Sequence, residues 1–259
     1  MNNCGLELMS ENEKLALLFG IMLGDGCLSH YFTKQGRECF AICISGHADD
    51  DLEFHENMLV PLLNYFRKKK VRVKKKSSCN GIEINFTSRS LFDKIKALGF
   101  PVGKKGPNLR IPKIFLQKNL LKYVVQGFFA TDGSLVLTKN PNKFYPRLEC
   151  QAICKDLLVQ IKEYLNSFGM KGKYYISKSK PDSRWKIVHQ KHKFQFNGKK
   201  NLIHFNDLIG FANPKQQRRF ENYIRYSEEY DKAIRGISSK KQPRIRDKIN
   251  SNFEKMIWL

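Results

Sequence analysis

The sequence predicts an α+β fold: two copies of one αββαββα unit, each with a four-stranded antiparallel sheet, related by a pseudo-twofold axis between two matched helices. Three observations predict it. First, an apolar run from Leu15 ends at Gly26 in one carboxylate flanked by glycines, Gly24-Asp25-Gly26, and Tyr123 to Gly133 is again an apolar run ending in an aspartate followed by glycine, Asp132-Gly133. In both, a glycine stands five residues ahead of the aspartate, Gly20 in one and Gly127 in the other. Second, Glu38-Cys-Phe-Ala-Ile-Cys43 recurs as Glu149-Cys-Gln-Ala-Ile-Cys154, five of six residues being identical. Third, the order of helical and strand-like periods before Gly103–Pro112 is run through again after it. The repeat is 107 residues measured from Asp25 to Asp132 and 111 from Cys39 to Cys150.

Taken in order, Ser10-Glu-Asn-Glu13 is a capping box that starts the first apolar helix. That run has no polar face, so the helix is expected to be buried all round, and Gly20 and Gly24, one turn apart, let a second backbone approach closely. The partner is the matched helix ending at Gly133. Leu28–Lys34 and Arg37–Ser45 read as strands joined by Gln35-Gly36. Asp49–Phe66 carries Leu52, Leu59, Leu62, Leu63 and Phe66 at helical spacing. Val71–Lys76 and Ile82–Thr87 form a hairpin around Ser77–Gly81, and a helix over Leu91–Leu98 closes the unit. Two glycines and two prolines make 103–112 the linker. The second unit follows with strands at Ser134–Lys139 and around Leu148–Cys154. A helix over Lys155–Phe168 has Leu157, Leu158, Ile161, Leu165 and Phe168 inward; a hairpin spans Lys173–Asn197, and a helix covers Leu202–Ile209. The expected divisions are a first repeat over 1–106, a linker at 107–112, a second repeat over 113–226 and a basic extension over 227–259.

The chain has 259 residues, 41% of them hydrophobic, enough for real cores. Forty-seven Lys and Arg oppose 24 Asp and Glu, a formal charge of +23 with a pI near 9.8. Self-repulsion of that size is relieved by a polyanion, and nucleic acid is the first candidate. A membrane partner is not expected, since no stretch reads as a span and the basic residues are spread over strands. Met1-Asn-Asn-Cys-Gly5 lacks a signal-peptide layout, so an intracellular protein is expected, whether organelle-encoded or microbial. Seven cysteines without Cys-x-x-Cys argue against disulfides and structural zinc. Cys39, Ala41 and Cys43 share one strand face, as do Cys150, Ala152 and Cys154, and they read as small core residues beneath a helix. The histidines, His30, His47, His55, His189, His192 and His204, have no ligand-like company.

Both helix ends resemble the LAGLIDADG motif of homing endonucleases in the single-chain, two-repeat form. Leu18-Phe-Gly-Ile-Met-Leu-Gly-Asp-Gly26 is similar to the first copy and Val125-Gln-Gly-Phe-Phe-Ala-Thr-Asp-Gly133 to the second, over a resemblance covering residues 10 to 226. Leu23 and Ala130 depart from the motif at its earlier acidic position, which is not the catalytic one. The resemblance implies a DNA-binding saddle with the motif helices at its centre and Asp25 and Asp132 as catalytic, metal-holding carboxylates. It adds the backbone carbonyls of Gly24 and Thr131 as further ligands. Hard oxygen donors suit Mg²⁺. It also implies an active-site lysine in each half. Gly99-Phe-Pro-Val-Gly-Lys104 and Gly210-Phe-Ala-Asn-Pro-Lys215 match at Gly-Phe and at the lysine, so Lys104 and Lys215 are the candidates, with Lys105 a close rival.

Strand alternation supplies candidate DNA contacts. In the first half these are Ser29, Tyr31, Arg72, Lys74, Lys76, Glu83, Asn85 and Thr87. In the second they are Thr138, Arg147, Glu149, Gln151, Lys193, Gln195 and Asn197. Arg67–Lys76, with eight basic residues in ten, has the density of phosphate contacts. The expected activity is site-specific, metal-dependent cleavage of double-stranded DNA by a monomer, leaving short 3′ overhangs, encoded by a mobile intron. An RNA maturase binding intron RNA and an inactive DNA-binding regulator are the alternatives. The basic tail, with Arg235, Lys240, Lys241, Arg244 and Arg246, either clamps DNA or docks on the second repeat.

Overall fold

The computed structural model describes residues 4–67, 69–77, 79–117, 119–138, 144–178, 188, 190–237 and 242–258. After a short helix α1 (Cys4–Glu7), α2 (Glu11–Asp25) opens on the expected capping box: Ser10 N donates to Glu13 Oε2 at 2.7 Å and Glu13 N to Ser10 Oγ at 3.3 Å. α2 packs along α7 (Leu121–Asp132), and every residue from Ala16 to Leu23 is buried. The glycines set the separation. A Cβ on Gly20 would lie 2.9 Å from Phe128 N, and one on Gly127 would lie 2.9 Å from Ile21 N, so each helix presses its backbone into a bare place on the other.

Each motif helix runs straight into a sheet. β1 (Gly26–Phe32), β2 (Glu38–His47), β3 (Lys74–Lys75) and β4 (Gly81–Thr87) form the antiparallel order β1-β2-β4-β3. β5 (Gly133–Thr138), β6 (Tyr145–Ala152), β7 (Gly172–Lys178) and β8 (Gln190–Asn197) repeat it as β5-β6-β8-β7. Ala48–Phe66 is one run in three parts, α3 (Ala48–Phe54), a π-turn (His55–Leu59) and α4 (Val60–Phe66). Pro61 has no N–H to give the carbonyl one α-turn back, and the wider turn before it absorbs the mismatch. α5 (Arg89–Ala97) closes the first unit; α6 (Lys113–Gln117), α8 (Lys155–Ser167) and α9 (Lys199–Leu208) belong to the second. The linker is docked: Ile111 exchanges backbone hydrogen bonds with the Gln160 side chain at 2.8 and 3.1 Å. Among the described residues no helix is long and apolar enough to cross a membrane.

Four expectations are corrected. The two near-identical hexapeptides are not structural equivalents. Gly26 pairs with Ile44 and Gly133 with Cys150, so Ile44 holds in the first sheet the place Cys150 holds in the second. The odd offset turns the faces over. Cys150 is buried in the core beneath the helices, whereas Cys39, Ala41 and Cys43 share the other face of their sheet with Ser29, Asn85 and Thr87, Cys39 and Ala41 buried there and Cys43 half-buried, and Ile42 and Ile44 face inward. Cys154 has left the strand and stands ahead of α8, its Sγ donating to Gly106 O at 3.3 Å. The strand expected over Val71–Lys76 is only Lys74–Lys75, because Asn64 Oδ1 takes the Val71 N–H at 2.9 Å, and Arg72 lies outside it. Phe168, read as inward, is 43% exposed at the end of α8.

The tail docks. α10 (Pro214–Ile234) runs through residue 226 without a break and pairs with α11 (Pro243–Trp258). Buried Tyr230 joins them, donating to Asn250 Oδ1 at 2.9 Å and packing between Phe144 and Phe253. Lys68, Ser78, Lys139, His189, Lys240, Lys241 and Leu259 of the readings above lie outside the described residues, as does the interior of the Lys173–Asn197 hairpin.

Candidate functional site

The two aspartates end their helices side by side. The glycines after them have ordinary extended backbones, φ −84° and −85°, and are required for space: a Cβ on Gly26 would lie 2.5 Å from Met22 Cα, and one on Gly133 2.5 Å from a Phe129 ring carbon. Each chain therefore turns at once from helix into strand and leaves its carboxylate at the seam. A Cβ on Gly24 would meet Thr131 Cβ at 2.9 Å and Asp132 Oδ2 at 3.3 Å, which puts the second acid against the end of the first helix. Burial, then the charge of Asp132 and that of Asp51, pushes Asp25 up from 3.8 to about 7. Burial raises Asp132 as well. Asp51, whose side chain also accepts from His47 N at 2.8 Å, is a third carboxylate in electrostatic reach that strand and motif spacing did not flag.

One lysine enters this acidic seam, and it is Lys105. Its Nζ donates to the carbonyls of Leu23 at 3.1 Å, Met22 at 3.4 Å, and Gly24. Burial lowers its pKa while Asp132 and Asp25 hold it up. Lys104 is exposed. The loop turns at Gly103, φ +86°, with Gly103 N bonded to Leu28 O at 2.7 Å, and this presents the later residue of the pair to the helix end. Lys215 is likewise not at the acids: it pairs with Asp50 on α3, beside an Arg218–Glu53 pair of 2.7 Å. In the second half, amides reach the motif helix. Gln216 Nε2 donates to Phe129 O at 3.0 Å and Gly133 O at 2.9 Å, and Asn213 Nδ2 to Ala130 O at 3.1 Å.

The polar strand faces flank the acids as alternation requires. In the first sheet Ser29 pairs with Ala41 and Ala41 with Thr87; Asn85 faces Cys43, Lys74 faces Glu83, and Tyr31 lies opposite Cys39. Lys76 reaches Glu83 at 3.5 Å. In the second, Arg147 pairs with Asn197, Glu149 with Gln195 and Gln151 with Lys193, and Thr138 shares their side. Glu149 organises this face, accepting from Lys193 at 2.8 Å and Gln195 at 3.1 Å, with Arg147 at 3.7 Å. Lys173 and Tyr175 on β7 stand opposite Gln195 and Lys193 and extend the face. The alternation of that strand would have found them.

The family model for LAGLIDADG-like domains matches residues 119–210. Residues 119–210 are a LAGLIDADG-like domain. The chain as a whole has the two-repeat LAGLIDADG fold. It superposes on I-LtrWI bound to target DNA with a TM-score of 0.56 at 10% identity, over 95% of this chain and 96% of that one. I-DmoI in complex with DNA and Ca matches with a TM-score of 0.53 at 18% identity, over 78% and 93%. I-AabMI bound to uncleaved DNA matches with 0.52 at 11%, over 93% and 97%. No curated protein matches the sequence significantly.

The LAGLIDADG helix ends fit a divalent ion by the chemistry of their donors. Among the described residues no group of three or more His, Cys, Asp and Glu side chains is placed to hold a metal. What the seam offers is two carboxylates, raised in pKa by burial, beside backbone carbonyls. Hard cations that keep several waters need no more. The Lys105 ammonium donates to the Gly24 carbonyl at this same helix end.

Proposed function

We propose that the chain is a site-specific, divalent-metal-dependent DNA endonuclease that acts as a monomer, cuts both strands to leave short 3′ overhangs, and is carried by a mobile intron. The observation that supports it most is the pair of partly buried aspartates, one from each repeat, meeting at the end of tightly packed LAGLIDADG helices between two polar sheet faces. The similarity in fold to proteins described with their target DNA, among them I-DmoI with Ca and with Mn, points the same way.

Asp25 and Asp132, with the carbonyls of Gly24 and Thr131, would hold the ion, for which Mg²⁺ is the working choice. When bound, it supplies Lewis acidity toward the phosphodiester and a more acidic water. The protein does the rest. The close Gly20–Gly127 crossing fixes the spacing of the two acids, and the seam's burial keeps their charge undiluted by solvent. Lys105 brings a positive charge beside both. Lys74, Lys76, Arg147 and Lys193 meet phosphates, while Asn85, Thr87, Gln151, Gln195 and Asn197 are of the types that read base edges. Glu83 and Glu149 hold those cations in register.

The test is incubation with Mg²⁺ of a plasmid carrying the host locus without its intron. Wild type should linearise it and Asp25→Asn should not. A plasmid left whole by wild type, with intron splicing rescued instead, would favour the maturase alternative.

A further inference from the structure

Lys215, expected at the acids from its match to Lys104, faces the other repeat. Its Nζ pairs with Asp50 of α3, and Arg218 Nη1 pairs with Glu53 of α3 at 2.7 Å. The Lys215 hydrogen bond holds Asp50 below its ordinary pKa, and Arg219, half-buried beside them, lies in the field of the same carboxylate. From their other side the same two turns of α10 hold the second repeat. Asn213, which caps α10 by accepting from Lys215 N at 3.0 Å, donates to Ala130 O at 3.1 Å. Gln216 donates to Phe129 O at 3.0 Å and to Gly133 O at 2.9 Å. Residues 213–219 are thus wedged between α7 of one repeat and α3 of the other. The covalent linker makes a bridge of the same kind to α8, where Arg110 pairs with Asp156 at 3.6 Å and Ile111 with the Gln160 side chain. α3 and α8 hold corresponding places, each following the second strand of its sheet.

We propose that α10 is a second, non-covalent linker between the repeats, in which Lys215 and Arg218 are positioning residues that grip α3 and so hold the Asp132 end of α7 in place. The consequence for cleavage rests on the endonuclease reading above. The two grips differ in strength. Asn213 and Gln216 are buried, so letting go of α7 would break three hydrogen bonds made in largely buried places. The side chains of Asp50 and Arg218 are 53% and 47% exposed, beside a cavity of about 200 Å³ that Asp49, Asn222 and Ile257 of α11 also line. Ion pairs in such a place are individually weak and screened by salt. The α3 side is therefore the one that loosens first.

Two measurements on the full chain test this. The first needs no DNA: hydrogen exchange of the backbone amides of residues 213–219 is followed by mass spectrometry. Asp50→Lys, which sets two ammoniums against each other, should speed that exchange about fivefold, and so should raising the salt from about 50 to 500 mM in wild type. Asp50→Lys combined with Lys215→Asp should return it to the wild-type rate. In the second, initial rates of duplex cleavage in Mg²⁺ are measured at saturating DNA. Asp50→Lys should lower kcat about fivefold relative to Asp93→Lys, which adds the same charge on α5, and the swapped pair should recover to within about twofold. Glu53→Arg, with and without Arg218→Glu, repeats both measurements on the second pair. Exchange left at the wild-type rate by Asp50→Lys or unmoved by salt, a swap that leaves either quantity unrestored, or a kcat equal to that of Asp93→Lys overturns the inference. If wild type does not cut DNA, the nuclease reading falls, and hydrogen exchange alone decides whether α10 links the repeats.

Discussion

In the proposed nuclease Asp25 and Asp132 carry the chemistry, and their partly buried position sets a pH dependence that needs no DNA to measure. Asp25 is raised to about 7 from 3.8, so between those values the folded chain binds protons that the unfolded chain has released. Stability therefore falls as pH rises through that window and levels above about 7. Asp25→Asn removes that part of the fall. In chelator, its melting temperature relative to wild type should rise by several degrees between pH 4 and pH 8, and a difference that stays flat would contradict the burial of the acid. In cleavage, either Asp→Asn change should cost roughly 10³-fold or more, the size of several kcal/mol of transition-state stabilisation, read as the initial rate on labelled duplex. The acids were legible because an aspartate followed by glycine, at the end of an apolar helix and five residues after another glycine, occurs twice. The lysine was legible only to within one position. Matching Lys104 to Lys215 rests on residue identity, whereas in the structure the residue after each of them reaches the motif helix, Lys105 by the turn at Gly103 and Gln216 from the first turn of α10, and there the repeats differ in chemistry.

At the scale of elements, the motif helices are the part that tolerates least change. A methyl on Gly20 or Gly127 meets main chain rather than a movable side chain, so Gly20→Ala or Gly127→Ala should destabilise the fold by about 3 kcal/mol or more. Denaturant midpoints at constant slope would show it. Gln216→Ala leaves Phe129 O and Gly133 O short of a donor in a buried place and should cost about 1–3 kcal/mol by the same measurement. Capping box, motif helices and the chain order of helices and strands followed from local pattern, since each is written in short-range periodicity. The pairing of β2 with its counterpart did not. Five identical residues in six outweighed the alternation of Ile42 and Ile44 with their neighbours, and only the ladder from Gly26 to Ile44 shows that Cys43 faces outward while Cys150 faces the core. β3 shrank for a reason that lies outside its own residues, the Asn64 side chain.

For the molecule as a whole, the net charge of +23 and the basic strand faces make binding to duplex DNA a polyelectrolyte event. With on the order of six to ten phosphates met, affinity should fall by roughly 10³ to 10⁵ between about 50 and 200 mM salt; a salt-independent Kd would remove the sheets from the interface. The tail belongs to the architecture, and its role was not legible in its basic residues because the deciding contacts are aromatic: Tyr230 stands between Phe144 and Phe253, far apart in sequence. The two halves are further tied by Asp50–Lys215 and Glu53–Arg218, which join α3 of one repeat to α10 after the other. All of this brings two acids from distant parts of the chain to one seam, where we propose that they close on a shared cation. Anomalous diffraction from crystals of the protein soaked in Mn²⁺ tests it most directly. A peak within bonding distance of carboxylate oxygens from both Asp25 and Asp132 is the expected result, and Mn²⁺ bound only elsewhere, with the seam empty, would contradict it.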